Sequence, residues 1–367
     1  MARAGRLLDS WLRPVASSHH LAGPKRPTPR RGVDLVQKPE VAVESTGPAP
    51  GRWIAGFLAL SLIWGASFAL IKVAVNAEVP PIWVALWRCL FGALTLAAIL
   101  AVQRSGLPRD RATWGHALVV ALLLNSMPFA LLAFGEMQVS SVLAGVINAT
   151  TPLTTLFFVL LLVPQEQLTS RRLVGLFTGF CGVLVVLGIW RGLGDATLTG
   201  AAACLGSTLC YGAGFAYTRR FFAGRQGSAV ALSTTQLICA TAELAIAAPL
   251  MAGAPGWPGR PAAVSLLALG ALGTGVAYIL NLRLIREAGP TIASTVTYVI
   301  PVWSTLFGTL LLSEPLSWNT AAGAVLVVAG VLLARAPGRP RPPASGTSGS
   351  SGSSAASVAE PEGRLRR

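Results

Sequence analysis

Two stretches decide how this chain is read: Ser141–Leu162, SVLAGVINATTPLTTLFFVLLL, and Thr291–Leu312, TIASTVTYVIPVWSTLFGTLLL. Each is an apolar run long enough to cross a bilayer, since about 20 helical residues span the ~30 Å hydrocarbon core. Each carries a proline near its middle, Pro152 and Pro301, with small hydroxyl or amide residues around it. With proline laid on proline, at an offset of 149, Ser141 falls on Pro290, Ala144 on Ala293, Asn148 on Thr297 and Thr155 on Ser304. Two polar, breakable helices in matching places of two half-chains are a pattern found in membrane transporters.

Composition agrees with a lipid setting. Of 367 residues, 53% are hydrophobic and 12% charged, against about 25% charged in soluble domains. The formal net charge of +15 is not a nucleic-acid footprint once the charges are placed. Nine of the 29 basic residues lie in the first 52 positions and six more from Arg335 onward. Most others flank hydrophobic runs, as in the cytoplasmic loops of membrane proteins. Cys89, Cys181, Cys204, Cys210 and Cys239 all fall inside apolar runs, with no metal spacing among them or the three histidines; they read as small hydrophobes.

Residues 1–52 are rich in Pro, Arg and Gly, without an apolar segment of the signal-peptide kind. They read as a disordered basic arm, or as an extension from an upstream start. Residues 336–367 read as a Pro/Gly/Ser-rich disordered tail. Between them, apolar runs at 53–75, 82–102, 114–134, 141–162, 173–190, 198–217, 229–250, 264–282, 291–312 and 318–334 predict an all-α integral membrane protein of ten transmembrane helices. If the N-terminus is cytoplasmic, the inside loops hold ten arginines (Arg104, Arg109, Arg111, Arg171, Arg172, Arg219, Arg220, Arg225, Arg283 and Arg286) and the outside loops only Arg191 and Arg260. The positive-inside rule therefore places both termini in the cytoplasm.

The halves match beyond the proline helices. Trp64–Ala69, WGASFA, aligns with Tyr211–Ala216, YGAGFA; Glu166-Gln-Leu aligns with Glu314-Pro-Leu, and Gly175 and Gly182 with Gly323 and Gly330. Residues 53–192 and 193–335 are then two five-helix repeats. An odd number of spans per repeat inverts the second relative to the first, about a pseudo-two-fold axis in the membrane plane.

The chain also resembles the EamA-type members of the drug/metabolite transporter superfamily, over about residues 53–335. The resemblance rests on WGASFALIK with Arg88 in the next span. It rests more specifically on the series Pro301, Glu314, Leu316, Gly323 and Gly330 within the second repeat. It implies ten helices around a central cavity, and the expected setting is the plasma (inner) membrane. It also implies movement of small metabolites, often amino acids or their derivatives, usually outward. A Val163-Pro164-Gln165 insertion before Glu166 departs from the pattern.

Intramembrane polar groups are the candidate site, because exposing them to lipid is costly. Asn148, Thr151, Pro152 and Thr155 share one helical face, as do Thr297, Pro301 and Ser304. A mid-helix proline frees a backbone carbonyl that a substrate could use; the competing reading is helix packing, with hydroxyls bonded back to their own helix. Asn125 with Ser126, and Tyr278 with Asn281, are similar candidates. Trp64, Phe68, Tyr211 and Phe215 could wall a pocket. Three intramembrane charges remain. Lys72 is expected to snorkel to the headgroups. Arg88 and Glu243 share a depth and are expected to pair, as a structural pair or a proton relay; alternatively Arg88 meets a substrate carboxylate. Glu166 and Glu314 are expected to cap the helices that follow them.

No HExxH, paired aspartates, Ser/His arrangement or P-loop occurs in the sequence, so an enzyme is disfavoured. The implied partners are a small-molecule substrate and the bilayer, with no nucleic acid, metal or cofactor; a homodimer is left open. A secondary carrier, and more specifically an exporter, is the favoured reading, with a facilitative channel as its nearer rival and a scaffold behind both.

Overall fold

The computed structural model describes residues 52–162, 169–188, 190, 195–222, 225 and 227–335. The basic arm, the tail, Glu166 and the junction at 192–194 lie outside the described residues. Among those described, every regular element is helical. In chain order they are α1 (Arg52–Asn76), α2 (Pro81–Val102), α3 (Arg111–Gln138), α4 (Ser141–Leu162), α5 (Ser170–Leu187), α6 (Asp195–Tyr217), α7 (Ala229–Ala252), α8 (Gly259–Gly289), α9 (Ile292–Leu312) and α10 (Trp318–Arg335). Eight of them, α1–α5 and α7–α9, are long and apolar enough to cross a membrane, and α10 is a shorter apolar helix. In α6, Gly200, Gly206, Ser207, Thr208, Gly212 and Gly214 dilute the apolar character.

The expected runs fall on these helices, but the third, fifth, sixth and eighth helices begin several residues earlier than expected. The third begins where Asp110 caps α3 by accepting from the Thr113 N–H at 2.8 Å. The loop expected after residue 282 is helical instead: α8 continues to Gly289, whose φ of 85° and ψ of 162° turn the chain directly into α9. That backbone conformation favours glycine. Arg283 and Glu287 form an ion pair at 2.5 Å along this added turn.

Glycines let the helices approach, because packing in lipid relies on close van der Waals contact between small residues. A Cβ at Gly175 would lie 2.5 Å from the Ala334 amide nitrogen. One at Gly182 would lie 2.7 Å from that of Val327. Gly323 and Gly330 face α5 just as closely, so these four glycines join α5 to α10. α6 packs on α3 and α4 in the same way, with Gly135 against Cys204 and Gly212 against Thr154. Elsewhere α1 lies against α8 and α9, and α2 against α7.

Candidate functional site

The first proline helix is broken, one turn's edge before its proline. α4 consists of Ser141–Asn148 and Thr151–Leu162, with Ala149 and Thr150 in a turn between them. Pro152 cannot donate to the Asn148 carbonyl, its i−4 partner. That carbonyl is not left for a ligand: the Thr151 hydroxyl donates to it at 2.7 Å. Thr155 likewise donates to Thr151 O at 2.8 Å, and Thr297 to Ser294 O at 2.9 Å. Most of the hydroxyl stripe is thus bonded to its own helix. The side-chain oxygen of Asn148 is different, being buried without a hydrogen-bond partner among the described residues.

α9 runs unbroken through Pro301. It passes α4 antiparallel, and the close approaches are at Gly145 against Ser304 and at Gly308 against Ser141 and Val142, rather than at the paired prolines. Thr151, Pro301 and Ser304 are buried, Ser304 completely, so these members of the two stripes face protein and not lipid. Phe68 packs beside Gly145, and Trp64 lines the same core.

A second polar group lies where α2, α3, α7 and α8 meet. Each of α3 and α8 contains one π-helical turn, Leu122–Ser126 and Ala271–Val276, beginning 149 positions apart. A π turn adds a residue and re-aims the side chains around it. In α3 it presents Asn125, fully buried, which accepts from the Gln236 amide at 2.5 Å and donates to the Tyr278 hydroxyl at 2.8 Å. In α8 it presents Thr274, also fully buried, which accepts from Arg88 Nε at 3.1 Å. The Arg88 guanidinium lies over the Phe129 ring, 3.8 Å from its centroid, a cation–π contact. The two triads correspond. Asn125 and Phe129 are offset by 149 from Thr274 and Tyr278, and Arg88 is offset by 148 from Gln236. Arg88 is 7% exposed, and its two terminal nitrogens have no hydrogen-bond partner among the described residues. Tyr211 and Tyr278 both lie within its electrostatic reach.

The expected Arg88–Glu243 pair does not form. Thr274 and Phe129 hold the guanidinium, while Glu243 accepts from the Ser126 hydroxyl at 2.5 Å. A shared depth fixes neither direction around a helix axis. Phe215 is also misplaced as a pocket wall, being 47% exposed. Asn281 makes no hydrogen bond in the described structure.

A third group sits at the α3–α4 turn. Lys72 does not snorkel: its ammonium donates to the carbonyls of Glu136 at 2.6 Å and Val139 at 3.0 Å, closing the C-terminal end of α3. A cation there meets the negative end of the helix dipole. Glu314 does not cap the helix that follows it. Its carboxylate accepts from Ser141 N at 2.9 Å, Ser141 Oγ at 2.8 Å and Val142 N at 3.1 Å, capping α4 instead. Glu136, Gln236 and Thr274 were not singled out from sequence. The first lies just past the end of the expected third run, and the others carry no charge; only the π turns and the packing show what each of them meets. A pocket of about 400 Å³, lined by Val79, Trp87, Phe91, Trp257 and Leu266 among others, includes none of the residues singled out from sequence.

Residues 51–188 and 198–336 each match the EamA-like transporter family. "Uncharacterized transporter YoaV" of Bacillus subtilis (strain 168) is 24% identical over 282 residues, covering 76% of this chain and 94% of that protein. "Uncharacterized inner membrane transporter YedA" of Escherichia coli (strain K12) is 30% identical over 269 residues, covering 71% and 82%. A solved crystal structure superposes with a TM-score of 0.56 at 19% identity, over 77% of this chain and 96% of its own, a likeness of fold alone. With two family segments and a run of apolar helices, the chain is a multi-pass membrane protein that belongs to the EamA-like transporter family.

Proposed function

We propose that the protein is a secondary carrier that exports small metabolites carrying a carboxylate, amino acids or their relatives, by alternating access. Its ten helices form two inverted five-helix repeats, residues 53–192 and 193–335, with both termini cytoplasmic in the plasma (inner) membrane. The observation that carries the reading is the pair of corresponding triads on matching π turns. A pseudo-two-fold arrangement of this kind gives two states of similar energy, one open to each side. The antiparallel passage of α4 and α9 fits the same symmetry.

In this reading the terminal nitrogens of Arg88 hold the substrate carboxylate through charge-assisted hydrogen bonds. The unpartnered Asn148 oxygen accepts from its ammonium. Asn125, Tyr278, Asn281, Tyr211, Trp64 and Phe68 line the cavity. Thr151, Pro152, Thr155, Thr297, Pro301 and Ser304 shape the two helices that bound it.

The test is counterflow in proteoliposomes, loading each amino acid unlabelled inside and following entry of the same labelled compound. A carrier accumulates label transiently for at least one amino acid, and Asn148→Ala or Arg88→Gln abolishes that overshoot. A pore equilibrates without overshoot, which would replace the carrier by a channel.

A further inference from the structure

Glu136 is 0% exposed, and neither of its carboxyl oxygens has a hydrogen-bond partner among the described residues. An ionised carboxylate so placed would bear an uncompensated desolvation cost, which in practice a group avoids by holding its proton. The charged and titratable groups that act on it come from four parts of the chain. They are Lys72 on α1, Arg88 on α2, Cys204 on α6 and Glu314 beyond α9. Lys72 is the one that touches it, and does so through the backbone: the ammonium sits on the carbonyls of Glu136 and Val139 and leaves the carboxyl alone.

We infer that Glu136 is a proton-binding site whose occupancy controls the α3–α4 turn. With the proton on a Glu136 oxygen, Lys72 stays on the two carbonyls and ties α1 to the end of α3. The next residue, Ser140, caps α4 by accepting from Leu143 N at 3.1 Å, and Glu314 holds Ser141 and Val142. When the carboxyl O–H breaks and its proton passes to water, the new carboxylate attracts the Lys72 ammonium, which already sits on the backbone carbonyl of the same residue. Lys72 turns to it and releases Val139 O. The turn that Glu314 clamps then loses its anchor on α1. Proton release therefore loosens the contact between α4 and α9 at that end of the molecule. This makes protons the coupling ion of the proposed carrier and rests on that reading for its role in transport.

The test uses the full chain in lipid, with no transported solute, so its outcome is separate from that of counterflow. Infrared difference spectra across a pH series are compared for wild type and Glu136→Gln, with Glu136→Met as a second, volume-conserving variant. Amide exchange at Ser141 and Val142 is followed in the same samples and divided by the rates in the variant, which cancels its intrinsic pH dependence. The expected result is a protonated-carboxyl band in wild type that is lost with rising pH and absent from both variants. The exchange ratio should rise by up to about tenfold per pH unit over the same range. A band that titrates identically in the variants, or a ratio flat with pH, overturns the proposal.

Discussion

Glu314 caps a helix that begins 173 residues earlier, its carboxylate receiving the Ser141 amide at 2.9 Å and the Ser141 hydroxyl at 2.8 Å. The cap meets the positive end of the α4 dipole and fastens the end of α9 to the start of α4. Glu314→Ala removes three hydrogen bonds at once and should cost about 1–3 kcal/mol. Thermal denaturation in detergent, with amide exchange at Ser141 and Val142, measures it. Unchanged exchange at those two amides would show that the clamp does not hold α4.

At Gly145, a Cβ would strike Ser304 Oγ. Gly145→Ala should therefore destabilise the protein by about 1–3 kcal/mol through overpacking. Ser304→Gly in the same chain should restore most of the loss by opening that space. Additive losses in the double variant, by thermal denaturation, would mean the two positions do not share a contact.

Helix positions and the paired proline stretches were legible in the sequence, because hydropathy reports length and small residues report close packing. Side-chain direction was not. Arg88 and Glu243 were matched by depth, yet the π turns of α3 and α8 re-aim Thr274 toward the first and leave the second to Ser126. Glu314 was assigned to the nearer helix because sequence proximity hides a cap made across the fold. Glu136 was passed over because nothing local marks a carboxyl that packing will seal.

Arg88 is held by its shape as well as its charge, Nε on Thr274 and the guanidinium plane over Phe129. A lysine keeps the charge and loses both contacts. Arg88→Lys should leave the fold intact and weaken binding of a carboxylate solute by at least about tenfold, the worth of one charge-assisted hydrogen bond. The same solute amidated at its carboxylate should bind wild type and variant alike. Equal loss for both solutes would move the carboxylate contact away from Arg88. The uncharged triad gives the contrast: Asn125→Leu orphans the Gln236 amide and the Tyr278 hydroxyl, so its main effect should be on stability, about 1–3 kcal/mol per orphaned group.

The break in α4 pairs a missing donor with a supplied one. Pro152 withholds an N–H from the Asn148 carbonyl, and the Thr151 hydroxyl supplies the bond instead, at 2.7 Å. Thr151→Val keeps the side-chain shape but strands that carbonyl, which should cost about 1–3 kcal/mol. In a Pro152→Ala background the residue at 152 has an N–H of its own, so the helix can close across Ala149 and Thr150 and the carbonyl no longer needs the hydroxyl. Thr151→Val should then be nearly neutral. The double-mutant cycle by thermal denaturation reads this as a coupling energy of about 1 kcal/mol or more. The functional consequence has the opposite sign: Pro152→Ala straightens α4, carries the Asn148 side chain out of its present position and should abolish counterflow while raising stability. A cycle with no coupling would mean that the hydroxyl does not replace the bond that the proline removes.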